Sequence, residues 1–86
     1  MSTVDKIVKA MRENQKGVKF SDCLKVCKYY FEEFGEMRIS GSHHIFHTPW
    51  EGDPRINIQD RKGFVAQYQV RQVLNAIGRL EGDSRV

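Results

Sequence analysis

The chain has 86 residues, enough for one domain, and a domain this small buries only roughly 60–65% of its unfolded surface, which excludes a deep enclosing pocket beside a full core. Hydrophobic residues make up 40% and charged residues 29%, the balance of a globular fold, and no apolar run approaches the length of a membrane span. The net charge of +3 permits an anionic partner without requiring one, and Met1-Ser2-Thr3-Val4-Asp5-Lys6 has no apolar leader, so the cytosol is the expected compartment.

Val4, Ile7, Val8 and Met11 recur at helical spacing behind Ser2 or Thr3 as cap, and Asn14 to Gly17 ends the helix. With four apolar residues, this helix is expected to dock weakly or on a partner. A second helix is expected from Ser21 as N-cap, with Asp22 in its first turn. Leu24, Cys27, Phe31 and Phe34 form its inner stripe, flanked by Cys23, Val26 and Tyr30, and Gly35 stops it. Cys23 and Cys27, four apart on one side of that helix, read as small apolar core residues of a reducing compartment. Their spacing to His43 and His47 matches no common zinc template.

The period then changes from helical to alternating. Met37 to Ser40 reads as a short strand, Gly41-Ser42 as a turn, and His43 to Thr48 as a second strand ended by Pro49. Trp50 to Pro54 is a loop, and Arg55 to Gln59 a third strand. After the polar turn Asp60 to Gly63, a last helix from Gln67 to Leu80 carries the stripe Val70, Val73, Leu74, Ile77 and Leu80. Glu81 to Val86 is expected to be a flexible tail. The order predicts an α+β fold: an added N-terminal helix (1–19), then an α-β-β-β-α core (20–80). Its three-stranded antiparallel sheet would carry helices on one face and leave the other open.

All three histidines, His43, His44 and His47, fall within five positions. On a strand His43 and His47 share a face, and His44 shares the other with Phe46. Alternation alone does not say which face is the core. Imidazole suits proton transfer near neutral pH, and Gly41 would let a substrate backbone approach closely. The basic candidates are Arg38, Arg55, Arg61, Lys62 and Arg71, with Arg61 and Lys62 expected before the positive end of the last helix.

Gly41-Ser42-His43-His44-Ile45-Phe46, followed by His47-Thr48-Pro49, resembles the signature strand of HicA-type toxins. These are small bacterial ribonucleases with a double-stranded-RNA-binding-like fold, paired with a HicB antitoxin. Arg55 to Ile58 is similar to the family's third strand and Tyr68 to Leu74 to the start of its last helix, so the resemblance covers roughly residues 20–77. It implies metal-independent endoribonuclease activity on mRNA, no cofactor, and a HicB-type antitoxin as partner. The catalytic residue would be His43, with His44 as second choice. Gly41, Ser42, Arg38, Arg55, Arg61, Lys62 and Arg71 would serve RNA binding. The chain departs from the family in residues 1–19, in a longer and more acidic loop with Trp50, Glu51 and Asp53, and in Ala66-Gln67-Tyr68 before the last helix. A non-catalytic RNA-binding module, or a partner-binding domain docking through its first helix, are the alternative readings.

Overall fold

A computed structural model describes residues 3–83. Three α-helices and one antiparallel sheet form an α+β domain. The order is α1 (Thr3–Glu13), α2 (Phe20–Phe31), a short 3-10 turn (Glu32–Phe34), β1 (Arg38–Ser40), β2 (His43–Phe46), β3 (Ile56–Gln59) and α3 (Gln67–Asp83). None of the helices is long and apolar enough to cross a membrane.

The α1 helix is no loose appendage. Val4, Val8 and Met11, spaced to share one face, are buried, and Met11 is only 1% exposed. Helix α1 packs on α2 and α3 within the chain, which corrects the expectation of weak docking. A surface ion pair between Arg12 and Glu81, 3.5 Å, joins α1 to the end of α3. Helix α3 continues to Asp83, so Glu81 to Asp83 is helical and not a tail. Residues 84–86, and Ser2 as a cap, lie outside the described residues.

Helix α2 begins at Phe20, with Lys19 as N-cap and no side-chain cap, so Ser21 does not start it. The reason is tertiary. Lys19 forms a bridge with Phe64, and the Phe20 and Val65 N–H groups donate to Gly63 and Val18 carbonyls. That pairing holds the entry to α2 extended and lets the first helical bond form from Cys23 to Lys19. Cys23, Val26, Cys27 and Phe31 are fully buried on α2, and both cysteines are free thiols of the core. The hydrogen bond with Cys23 and burial push the Cys27 thiol up.

Strand order is β1-β2-β3. The pairs Ser40↔His43 and Arg38↔Ile45 fix one register, and His43↔Gln59 and Ile45↔Asn57 the other. Phe46, Ile56 and Ile58 are buried in one core cluster with residues of α2 and α3, and β3 packs on both helices. Burying each such side chain contributes about 1.5–3 kcal/mol, and that drive sets which face of the sheet turns inward. Arg38, Ser40, Ile45, Asn57 and Gln59 fall on the opposite, open face by alternation. Ile39, on the helix side of the edge strand β1, is 58% exposed because the helix layer does not extend over it.

Candidate functional site

The turn between β1 and β2 has two residues, and Gly41 alone of them has positive φ, 61°. That is the signature of a type II′ hairpin turn. A Cβ on Gly41 would meet no atom of the chain within 4 Å, so within the protein it is the backbone conformation that calls for glycine here. The turn delivers His43 as the first residue of β2, on the open face.

His43 is half-buried, and its Nδ1 lies 3.0 Å from Asn57 Oδ1 on β3. An amide oxygen only accepts, so Nδ1 carries the proton. The Nε2 lone pair is left for other work. Beside it, Gln59 Nε2 donates to Ser42 Oγ at 3.0 Å, and Arg61 Nε donates to Gln59 Oε1 at 3.4 Å. Arg61 is thereby linked to the His43 end of the face. Arg61 and Lys62 lie, as expected, in the loop before α3: residues 61–64 close a tight turn through paired Arg61 and Phe64 backbone bonds, and α3 starts at Gln67. Lys62 is exposed at the tip of that turn with φ 54°.

His44 points the other way. Its ring meets Phe20 edge-on at 4.9 Å, on the helix side of the sheet. Its buried Nδ1 has no hydrogen-bond partner among the described residues. Arg71 is exposed on α3, in the helix layer, and so is not brought to the open face.

A second cluster lies at the far end of β2. Asp53 Oδ1 accepts from Thr48 N–H at 2.9 Å, and Asp53 Oδ2 accepts from His47 Nδ1–H at 2.8 Å. The Arg55 guanidinium lies 3.2 Å from Asp53 Oδ2 and contacts the His47 ring, 3.0 Å from Nε2. The Thr48 N–H and the His47 hydrogen bond, with help from Arg55, hold the Asp53 carboxyl below its usual range, against a smaller opposing effect of desolvation. Thr48 Oγ also donates to Pro54 O at 2.8 Å, which closes the loop on itself. Trp50 anchors the loop to α3 by lying 4.2 Å from the Arg79 guanidinium. Gly35, φ 150°, makes room for the cluster from the other side: a Cβ there would sit 2.6 Å from His47 Cδ2.

The open face therefore reads in order from the hairpin turn. Ser42, Gln59 and Arg61 come first, then His43 with Asn57, then Ile45 flanked by Arg38, then His47 with Arg55 and Asp53. Of the residues expected to bind RNA, it gathers Ser42, Arg38, Arg55 and Arg61, beside His43, the expected catalytic residue. His47, which the motif includes, belongs to it as well, and so do Asn57, Gln59 and Asp53, which motif reading does not find. For Asn57 and Gln59 the signal is the polar phase of β3, where they alternate with Ile56 and Ile58. Among the described residues, no group of three or more His, Cys, Asp or Glu side chains could hold a metal ion. Comparison with protein-family models, with curated proteins and with solved structures found no match.

Proposed function

We propose that the protein is a HicA-type endoribonuclease with a double-stranded-RNA-binding-like fold, cutting RNA on the open face of its sheet. The single observation that carries this reading is the place of His43. The imidazole stands on the uncovered face, with Nδ1 tied to Asn57 Oδ1 and arginines on either side of it along the face. A face this shallow suits a polymer better than a small metabolite.

In this reading neutral His43 takes the 2′-hydroxyl proton on Nε2, and the 2′-oxygen forms a bond to phosphorus. The P–O5′ bond breaks, and the leaving oxygen takes a proton from solvent. The products are a 2′,3′-cyclic phosphate and a 5′-hydroxyl. Asn57 keeps the imidazole in the tautomer that can accept the proton and stabilises the imidazolium that follows. Guanidinium groups offset the charge that builds on the phosphoryl oxygens. No step calls for a metal or cofactor. A HicB-type antitoxin would silence the protein by covering this face.

The test is expression of the chain in a bacterial host without its antitoxin. Growth arrest with mRNA loss, abolished by His43→Ala and retained in His44→Ala, is the expected result. Equal arrest by the His43→Ala protein contradicts it.

A further inference from the structure

We infer that the depression lined by Arg38, Ile45, His47 and Arg55 is a second phosphate site, which holds another phosphodiester of the strand that His43 engages. The inference extends the ribonuclease reading along the same face.

The depression has a volume of about 350 Å³. Its two arginines come from different elements, Arg38 from the edge strand β1 and Arg55 from the residue before β3. Arg38 is exposed and forms no ion pair among the described residues. Arg55 is held in place by Asp53 at 3.2 Å, so less side-chain freedom is lost when it meets an anion. The fixed charges at the site, two guanidiniums against one carboxylate, leave a net positive centre. Planar guanidiniums match the phosphate oxygens in geometry as well as charge. Ile45 supplies an apolar floor between this cavity and His43.

Distance decides what the site is for. His47 follows His43 by four residues, about 13 Å along an extended chain. That is too far for both imidazoles to serve one phosphorus atom, since proton transfer needs hydrogen-bond reach. His47 is therefore not the acid of the cleavage step. With Arg38 and Arg55 it grips the strand at another linkage, and Asp53 acts as a positioning residue. The protein should thus require an oligonucleotide and handle a single isolated phosphodiester poorly.

The experiment measures binding of a short 2′-O-methyl oligoribonucleotide, which has no attacking hydroxyl, by fluorescence anisotropy across a salt series. Arg38→Ala and Arg55→Ala should each weaken binding about tenfold at low salt. Each should also flatten the plot of log affinity against log salt by about 0.7, the slope for one phosphate on a single strand. Lys25→Ala, on the exposed side of α2, should leave both unchanged. Loss of equal size in Lys25→Ala, unchanged slopes in both arginine variants, or no binding by the parent overturns the inference. If the parent binds as described but cleaves no RNA, the second phosphate site stands and the ribonuclease reading fails.

Discussion

His43 Nδ1 and Asn57 Oδ1 face each other at 3.0 Å across β2 and β3, diagonally between the pairs His43↔Gln59 and Ile45↔Asn57. The contact exists because both residues fall on the polar phase of neighbouring strands. With the ring neutral, that contact places the proton on Nδ1 and leaves Nε2 as the acceptor. Asn57 is thus a positioning residue, and its effect should appear in turnover and pH dependence more than in substrate affinity. Asn57→Ala should lower kcat roughly tenfold or more with little change in KM, a partial loss of what His43 itself contributes. Asn57→Asp places a carboxylate beside the ring, favours the imidazolium, and should move the acidic limb of the rate profile to higher pH. A pH–rate profile of both variants checks this; identical limbs in parent and Asn57→Asp would remove Asn57 from the account.

Asp53 lies below the usual carboxylate range because the Thr48 N–H and His47 stabilise its charge. A depressed folded-state value means that the stabilisation is complete above the ordinary carboxylate range near pH ~4 and is lost as pH falls through the lowered value. The loop from Thr48 to Arg55 should therefore loosen in acid before the core does. Trp50, the single tryptophan, sits in this loop and reports on it. In Asp53→Asn the acid-dependent change in Trp50 fluorescence should disappear, and at neutral pH the variant should resemble the acid form of the parent.

Gly35 and Gly41 both have positive φ but for different company. At Gly41 only the backbone is strained by a side chain, so Gly41→Ala should cost about 1–2 kcal/mol. At Gly35 the new Cβ also collides with the His47 ring, so Gly35→Ala should cost about 3 kcal/mol. Urea denaturation of the two variants tests the ranking. Only Gly35→Ala should also disturb the cluster at His47.

His44 tests which face matters. Its Nδ1 is buried without a partner among the described residues, a costly state for a polar atom. His44→Phe replaces it with an apolar ring against Phe20 and should change stability by less than about 1 kcal/mol. RNA cleavage should persist in this variant.

The helices and three strands are legible in the sequence because their apolar residues keep a clear period. Val70, Val73, Leu74 and Ile77 mark α3 without ambiguity. The first helix is harder to judge: four apolar residues suggest weak docking, yet Met11 is almost completely buried, and position counts for more than number. The face on which His43 stands is not legible, because Ile45 and Phe46 are both apolar and alternation is symmetric. Burial of Phe46 with Ile56 and Ile58 breaks that symmetry. The partnership of His43 with Asn57 depends on register across 14 residues, and that of His47 with Asp53 and Arg55 on the shape of a loop. Neither spacing follows a local rule, so local patterns do not reveal them.

The ribonuclease reading depends on a proton moving through His43 Nε2. The most direct measurement is the cleavage rate of an unstructured RNA by purified parent and His43→Ala proteins, matched in circular dichroism. The account predicts cleavage by the parent, unchanged by a chelator, to products ending in a 2′,3′-cyclic phosphate. It predicts a fall of about a hundred- to ten-thousand-fold in His43→Ala. A folded His43→Ala protein that cleaves at the parental rate would contradict it.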